Sequence, residues 1–349
     1  MPLIGTDLRY AFGGTDLYSD GFELLDSLTA QGLDGCNIRT LDDLSPTLDR
    51  GYLAEFAAHA RAADLYVEMG IGKVNPFMTA ELPRVRKLGG GDYLAGMTRM
   101  IEVCAANGWT TLWTACGGIK TYPGVYATDR FRTDTDWPEQ LRITEAFLRR
   151  LAPVLRANGC RLAIETHEEI TTHEVVRLVE AVGPDVLGVC LDPANLPANG
   201  ESLTAGIRRV APYVISTQLR DVALFQENSS LVRFLAPCGD GVLDWAWVLD
   251  LLLTMNPGLN LTIEGIGGIR GELHALIADP VWRAGHPDLA DAEVDELRGL
   301  VGLAAEDLTT LRTVSDQWRP SHERFVARSA AHLRSLLPVP SRAVQGASS

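Results

Sequence analysis

The sequence predicts a single (β/α)8 barrel, with long loops at the carboxyl ends of its strands and a helical extension at its C-terminus. Short apolar runs alternate with helical patterns along the chain, and eight such runs can be counted. Four runs in the second half end in a side chain that carries oxygen, at the same point of the repeating unit. The 349 residues, of which 46% are hydrophobic, are enough for one large barrel with a substantial core. An open doubly wound sheet needs a similar alternation and stays an alternative on pattern alone.

The elements follow one another regularly along the chain. Strands are predicted near 3–11, 34–40, 64–70, 109–116, 161–166, 186–192, 213–219 and 260–265. Helices are predicted near 20–31, 51–63, 92–107, 139–158, 173–182, 202–210 and 244–255, with more helix after the last strand. Thr171 and Glu174 have the spacing of a capping box, and Gly183 can end the helix that they begin. We assign residues 1–336 to the barrel with its helical extension, and residues 337–349, which carry no motif, to a disordered tail.

Three connections are longer than a minimal barrel requires. They cover residues 117–138, 222–242 and 265–300, and each leaves the carboxyl end of a strand, where barrel enzymes build their active sites. The first connection is rich in aromatic and basic side chains, namely Tyr122, Tyr126, Arg130, Phe131, Arg132 and Trp137. We expect these connections to cover a substrate, with Arg132 and Trp137 among the residues that bind it, although plain surface loops can have the same length.

Composition restricts the class of protein. The net charge of −14 disfavours a nucleic-acid partner, which would need a basic surface. The six cysteines show no CxxC pairing, and several lie in apolar runs where cysteine acts as a small buried hydrophobe. Together with an N-terminus that does not resemble a signal peptide, this predicts a cytoplasmic protein. No apolar stretch approaches the roughly 20 residues that cross a bilayer, so no membrane association is expected.

Four strand ends place oxygen donors where they could meet. Glu165 lies in LAIET, Asp192 follows GVCL, Gln218 follows VIST, and Glu264 lies in LTIEG, at successive intervals of 27, 26 and 46 residues. Because the carboxyl ends of barrel strands surround one point, these side chains could converge there. Carboxylates with a neutral oxygen suit a hard divalent cation; we expect Mn²⁺, with Mg²⁺ or Co²⁺ as alternatives. Each residue alone could instead form a salt bridge or begin a turn, so their common placement carries the hypothesis.

Other polar side chains lie close to these strand ends. In extended backbone His167 shares a face with Glu165 and could act as a general base near neutral pH, although a hydrogen-bonded loop histidine explains it equally well. Arg220 shares a face with Gln218 and could hold a substrate oxygen, or form a salt bridge at the barrel rim. Asp221 should point away from the site and orient a neighbour or begin the next turn.

The second half of the chain resembles a known family. The segments IETHE at 164–168, LDPAN at 191–195, QLRD at 218–221, GDGVLDW at 239–245 and TIEG at 262–265 occur in this order. They resemble landmarks of the xylose-isomerase-like barrel superfamily of sugar isomerases and epimerases. The resemblance implies a metal held by Glu165, Asp192, Gln218 and Glu264, and proton transfer by a pair of glutamates.

The sequence departs from the family pattern at two positions. The epimerases usually carry histidine where this chain has Gln218 and Asn195. Losing both imidazoles should weaken metal binding and move the chemistry away from simple keto-sugar epimerisation. Asn195 then joins the expected substrate-binding residues.

One long segment resembles a particular branch of the superfamily. RDVALFQENSSLVRFLAPCGDG, which covers 220–241, is similar to a segment of the large subunits of C-glycoside deglycosidases and related lyases of 3-oxo-glycosides. That likeness implies an oxidised glycoside as substrate. It also implies either a homo-oligomer or a hetero-oligomer with a small partner subunit.

The function predicted from these observations is a divalent-metal-dependent carbohydrate enzyme that removes a C–H proton next to a sugar carbonyl. Glu165, Glu264 or His167 would move the proton. A lyase acting on 3-oxo-glycosides, as in C-glycoside deglycosidation, is favoured because both imidazoles are replaced and the loops are long. The alternatives are a keto-sugar or sugar-phosphate isomerase or epimerase, an inosose dehydratase, and a non-catalytic barrel subunit. A metal-dependent phosphodiesterase would need more histidine ligands and a basic surface, and GIGGIRG after the last strand lacks the acidic partner of a nucleotide site.

Overall fold

The computed structural model of the protein confirms the (β/α)8 barrel. It describes residues 1–9, 11–12, 15–79, 83–117, 128–268, 270–313 and 318–338. The barrel strands β1 to β8 are, in chain order, Ile4–Leu8, Gly35–Ile38, Tyr66–Gly70, Thr111–Thr114, Arg161–Glu165, Leu187–Leu191, Val214–Thr217 and Leu261–Ile263. They are parallel, each lies beside the next, and β8 pairs with β1, with Leu261 opposite Ile4. A parallel bridge between Leu219 and Ile263 links the ends of β7 and β8 and completes the ring.

The seven predicted helices are confirmed to within two residues at each end. They are Gly21–Ala30, Arg50–Ala62, Tyr93–Ala106, Trp137–Ala157, Thr172–Val182, Leu203–Val210 and Trp245–Met255. Each begins after a side chain that accepts a backbone N–H of the first turn, namely Asp20, Asp49, Asp92, Asp136, Thr171, Ser202 and Asp244. Thr171 and Glu174 form the predicted reciprocal capping box, and Gly183 follows the end of its helix at a φ of 126°. The local start signals therefore fix these helices.

Further short helices lie in the connections. They are Leu41–Leu44, Pro76–Thr79, Pro83–Leu88, Pro280–Ala284, Asp291–Gly299 and Leu308–Leu311, with 3-10 turns at Asp129–Phe131, Pro193–Asn199 and Ala211–Tyr213. A last long helix, Trp318–Leu336, packs against β1, β8 and the helix Trp245–Met255. The helical extension predicted at the C-terminus thus fills the position of the eighth barrel helix. The predicted disordered tail lies, from residue 339 onward, outside the described residues.

The second long connection is a hairpin and not a loop. The antiparallel strands Asp221–Glu227 and Ser230–Ala236 pair along their whole length, and Leu273–Ala275 from the third connection adds a third strand. Asn228 adopts the left-handed conformation, with a φ of 51°, at the two-residue turn. The small sheet therefore ties the connections after β7 and β8 to each other.

The six cysteines are buried and form no disulfide, as their apolar surroundings in the sequence predicted. None of the helices in the described ranges combines the length and the apolar character of a membrane-spanning helix.

Candidate active site

Three strand ends bring carboxylates together at the carboxyl end of the barrel. Glu165 ends β5, Asp192 directly follows β6 and Glu264 directly follows β8. One oxygen from each carboxylate lies within 4.8 Å of the others, and the three residues are 0%, 0% and 4% exposed. Buried carboxylates at this separation repel one another unless cations compensate them. The structure thus gathers three of the four predicted ligands into a group that could hold a metal ion.

Gln218, the fourth predicted ligand, directly follows β7 and faces the same group. One end of its carboxamide lies 3.2 Å from both carboxylate oxygens of Glu165. With the amide nitrogen at that end, Gln218 donates to Glu165. With the oxygen there, Gln218 and the three carboxylates present only oxygen donors to one region, which is the donor set of a hard divalent ion.

Two guanidinium groups reach into the carboxylate group. Arg220 donates to Asp192, and its Nη2 lies 2.9 Å from Glu264 Oε2. Arg39, which follows β2, donates to the other oxygen of Glu264, and its Nε lies 3.4 Å from Asp7 Oδ2. These cations offset part of the repulsion among the buried carboxylates. Arg220 was predicted near the site, whereas Arg39 was not.

Burial and crowding raise the proton affinity of two of the carboxyl groups. Burial raises the pKa of Asp192 to about 8, the charge of Glu264 adds to this, and Arg220 opposes it. Burial likewise raises the pKa of Glu165, opposed by His167 and supported by Glu264. Near neutral pH the Asp192 carboxyl group therefore retains a proton that an exposed carboxyl would have lost, and a bound cation would have to displace it.

Asn195 connects the carboxylate group to the hairpin above it. Its Nδ2 donates to Asp192 Oδ2 at 2.7 Å, and its Oδ1 accepts from Arg220 at 3.3 Å. Arg233 of the hairpin also donates to this oxygen at 3.5 Å and to Glu168 at 3.0 Å. No sequence pattern singles out Arg233. Asn195 and Arg220, both predicted to bind substrate, thus lie directly beside the three carboxylates.

His167 lies between two carboxylates that follow it in the chain. Its Nδ1 contacts Glu169, and its Nε2 lies 3.0 Å from Glu168 Oε2. Burial disfavours the imidazolium, but Glu168, Glu169 and Glu165 together raise the pKa of His167 well above its usual value. A histidine that holds its proton this tightly is a poor base at neutral pH, so this geometry favours a positioning role. The general-base role of His167 stays a prediction.

Arg132 and Trp137 have their contacts elsewhere. Arg132 pairs with Asp134 at 2.7 Å, and the indole N–H of Trp137 donates to Glu174 at 3.1 Å. Trp137 is 5% exposed, so a substrate could reach little of its ring. Substrate binding by Trp137 stays a prediction, and the burial of the ring does not favour it. Tyr122 and Tyr126 of the same connection lie outside the described residues.

The QLRD segment shows how backbone alternation builds this region. Gln218 and Arg220 face the carboxylates, while Leu219 between them is buried and bridges to β8. Asp221 points the other way, as predicted. It accepts hydrogen bonds from the backbone N–H of Val222 at 2.8 Å, Gly239 at 3.0 Å and Leu243 at 3.1 Å, and from the Trp245 indole at 2.7 Å. This one carboxylate therefore fixes the return from the hairpin into the next helix.

An open space adjoins the carboxylate group. It has a volume of about 220 Å³ and is lined by polar side chains of the site together with apolar residues of the neighbouring connections: Arg9, Arg39, His167, Glu168, Arg220, Leu235, Glu264, Ile266 and Trp318. A substrate in this space would touch Glu264 and Arg220 directly.

The family of the chain follows from comparison with known sequences. The sequence profile of the xylose isomerase-like TIM barrel family matches residues 25–301. This chain belongs to that family. The resemblance carried by the IETHE, LDPAN, QLRD and TIEG segments is thereby confirmed.

Individual relatives cover the chain to different extents. A 3-oxo-isoapionate decarboxylase of Pectobacterium atrosepticum is 30% identical over 121 residues, which are 34% of this chain and 44% of that protein. The chain therefore matches less than half the length of this curated relative.

The barrel also superposes on solved structures of the family. A D-psicose 3-epimerase from Clostridium cellulolyticum H10 has a TM-score of 0.61 at 15% identity, covering 96% of this chain and 100% of that one. A 3-keto-D-glucoside 4-epimerase from E. coli has a TM-score of 0.55 at 15% identity, covering 86% and 99%. A xylose isomerase-like barrel protein from Mycobacterium smegmatis, in complex with magnesium, has a TM-score of 0.56 at 16% identity, covering 76% and 90%. At these identities the likeness shows the fold alone.

Proposed function

We propose that this protein is a divalent-metal-dependent enzyme that removes a proton from the carbon next to the carbonyl of an oxidised sugar. Within this chemistry we favour a lyase acting on a 3-oxo-glycoside, as in C-glycoside deglycosidation. The observation that carries the proposal is the convergence of Glu165, Asp192 and Glu264 within 4.8 Å at the carboxyl end of the barrel.

The donor set supports a metal ion. Glu165, Asp192 and Glu264, with the amide oxygen of Gln218, would hold Mn²⁺, with Mg²⁺ or Co²⁺ as alternatives, through oxygen atoms only. The magnesium complex of the M. smegmatis barrel is in keeping with such an ion in this family. A divalent ion at this place would supply Lewis-acid stabilisation of negative charge on the substrate oxygen. Arg220 donates to Asp192 in this structure, so it would share that carboxylate with the ion.

The chain's own residues supply the proton transfer. A carboxylate of Glu165 or Glu264 would take the proton from the substrate carbon, and the electron pair of the C–H bond would move onto the carbonyl oxygen. The raised pKa of Glu165 favours its protonated form after this step, which suits this residue to the role of proton acceptor. Arg220 and Arg39 lie beside Glu264 and would hold the developing oxyanion. In the lyase reaction the carbonyl then re-forms, and a double bond forms between the deprotonated carbon and the next carbon. The bond from that next carbon to the departing group breaks at the same time, and this group leaves with the bonding pair and takes up the proton.

The competing outcome is epimerisation, in which the proton returns to the other face of the same carbon. It is supported by the sugar epimerases among the similar folds. The lyase is favoured because Gln218 and Asn195 replace the two imidazoles that the epimerases usually carry. The decarboxylase relative supports a third reaction with the same type of intermediate, because loss of CO₂ from a 3-oxo acid also leaves an electron pair next to a carbonyl.

The test is metal binding and proton exchange in matched variants. Wild type should take up one Mn²⁺ per chain and should catalyse deuterium incorporation from D₂O into a 3-oxo-glucoside, with release of the aglycone. Glu264→Gln should lose both, whereas Glu102→Gln, an exposed glutamate on the helix Tyr93–Ala106, should retain both. A Glu264→Gln variant with unchanged uptake and exchange would exclude catalysis by this group of carboxylates. Exchange without aglycone release would favour the epimerase.

The proposal includes an assembly and a location. We propose an oligomer, formed either with copies of this chain or with a small subunit, which light scattering of the purified protein would test. We also propose a cytoplasmic enzyme, supported by six buried cysteines without a disulfide.

A further inference from the structure

A second cavity adjoins the candidate active site on the side of β2, β3 and β4. It has a volume of about 270 Å³, and its walls include Arg9, Arg39, Lys73, Arg84 and Trp113. Arg9 and Arg39 also line the space beside Glu264, so the two cavities meet at these guanidinium groups. A sugar whose reacting carbon lies at Glu264 could therefore extend into the second cavity.

The charge of this cavity is positive at its inner end. At the mouth, Arg84 is neutralised by Asp42 at 3.0 Å and by Asp43. Lys73 has no such partner. Among the residues that the structure describes, no carboxylate lies within 4.0 Å of its ammonium group, which instead lies 5.0 Å from the centre of the Trp113 ring. The charges of Glu165 and Glu169 favour this ammonium group, but neither carboxylate pairs with it directly. A half-buried ammonium without a direct partner is stabilised further by a ligand that provides a negative charge.

Three further observations agree with a missing negative charge. Arg39 lies over the same Trp113 ring at 5.2 Å, so two cations share one aromatic residue. The indole N–H of Trp113 is buried and has no hydrogen-bond partner among the described residues. Burial lowers the pKa of Lys73 and Arg39 adds to this shift, although the charges of Glu165 and Glu169 oppose it. Each of these groups would be stabilised by an anion.

We propose that this cavity binds an oxyanion group, a carboxylate or a phosphate, carried by the sugar that reacts at Glu165, Asp192 and Glu264. Lys73 supplies a positive charge that has no direct ion pair among the described residues. Arg9 and Arg39 form the wall shared with the reaction site, and Trp113 offers a hydrogen-bond donor. The preferred substrate is then an acidic sugar derivative, which should bind more tightly than a neutral 3-oxo-glucoside. This inference rests on the proposed function for the identity of the ligand as a sugar, but the binding of the anion does not require turnover.

The experiment measures binding alone. Calorimetric titrations of the purified full-length protein would use three matched probes: D-glucuronate, D-glucose 6-phosphate and the neutral D-glucose. The anionic sugars should bind at least about tenfold more tightly than D-glucose, because one charge-assisted hydrogen bond is sufficient for that factor. Preference for the glucuronate identifies a carboxylate site, and preference for the phosphate ester identifies a phosphate site.

Variants of two lysines make the test specific. Lys73→Met should lose about tenfold in affinity for the preferred anionic probe and keep its affinity for D-glucose, whereas Lys73→Arg retains the charge and should keep both. Lys87→Met, at an exposed lysine of the short helix Pro83–Leu88, should behave as wild type. Circular dichroism verifies that each variant is folded.

Two results would overturn the inference: equal affinity of wild type for the charged and neutral probes, or unchanged anion affinity in folded Lys73→Met. Loss of the proposed function alone has a different signature. In that case Mn²⁺ uptake and deuterium exchange are absent, while the affinity for the anionic probes still depends on Lys73.

Discussion

Glu68 offers a test of the electrostatics inside the barrel. It lies on β3 and is 4% exposed, and its carboxylate accepts hydrogen bonds from the Ser216 hydroxyl and from Asn260 Nδ2, the latter at 3.2 Å. Burial raises the pKa of Glu68 from 4.5 to about 7, although the hydrogen bonds from Ser216 and Asn260 oppose the shift. The folded protein therefore holds the proton of Glu68 more tightly than the unfolded chain does.

The sign and the size of the effect on stability follow from this shift. Below pH 4.5 Glu68 is protonated in both the folded and the unfolded protein, so its titration does not change the free energy of unfolding. As the pH rises from 4.5 to about 7, the unfolded chain loses this proton first, and the free energy of unfolding falls. Above about pH 7 the free energy of unfolding is lower by about 3 kcal/mol, because each unit of difference between the folded and unfolded pKa corresponds to about 1.4 kcal/mol. In Glu68→Gln the amide oxygen can still accept from Asn260, and the amide nitrogen can donate to the Ser216 hydroxyl. The variant should therefore lack this pH-dependent loss and be more stable than wild type at pH 8 by up to about 3 kcal/mol.

The assay is urea unfolding at pH 5, 6, 7 and 8, followed by tryptophan fluorescence. The difference between the unfolding free energies of Glu68→Gln and wild type should grow as the pH rises, because all other titrating groups are common to both proteins. Glu55→Gln, at an exposed glutamate of the helix Arg50–Ala62, should track wild type at every pH. A constant difference between Glu68→Gln and wild type from pH 5 to pH 8 would refute the reasoning.

Three further outcomes are expected. Asp221→Ala removes the acceptor of four hydrogen bonds and should lower the unfolding free energy by roughly 3 kcal/mol in denaturant titrations. Asp250→Ala, at an exposed position, should have little effect. Equal stabilities of the two variants would show that Asp221 does not hold the return from the hairpin into the next helix. Treatment with a chelator should abolish deuterium exchange, and Mn²⁺, Co²⁺ or Mg²⁺ should restore it better than Ca²⁺; exchange that survives metal removal would contradict the Lewis-acid role. His167→Gln should lower turnover and leave the metal content unchanged, since it breaks the ion pairs with Glu168 and Glu169 without removing a proposed ligand. Wild-type turnover in that variant would contradict both the general-base and the positioning role.

Most of the fold could be predicted because its signals are local. The seven helices begin at Asp, Ser or Thr side chains that cap them, and the capping box of Thr171 and Glu174 is visible in the sequence. The sequence does not predict the hairpin Asp221–Ala236, because its strands lack a strict polar alternation: Val222, Ala223 and Leu224 are all buried. Its pairing with Leu273–Ala275 joins two connections that are far apart in the chain, and no local pattern reports that contact.

The candidate site could be predicted only in part for a similar reason. Glu165, Asp192 and Glu264 repeat at strand ends, and that repetition indicated their convergence. The same rule applied to β2 and β3 would have drawn attention to Arg39 and Lys73, which follow those strands by one and three residues. Arg233 had no comparable signal, because a hairpin brings it to Asn195 from outside the repeating unit. The ion pairs of His167 with Glu168 and Glu169 depend on a turn after β5 that extended geometry does not describe.

The position of the helix Trp318–Leu336 has a consequence for how the protein is made. This helix packs against β1, so the first strand of the barrel depends on a helix that is synthesised after all eight strands. Until β8 has been synthesised, β1 lacks one of its two neighbouring strands, and until about residue 336 has been synthesised it also lacks its covering helix. During this time the unpaired edge or the apolar face of β1 is exposed to other chains. Nascent chains that stall before this helix should therefore be prone to aggregation, even though nearly all of the barrel has already been synthesised.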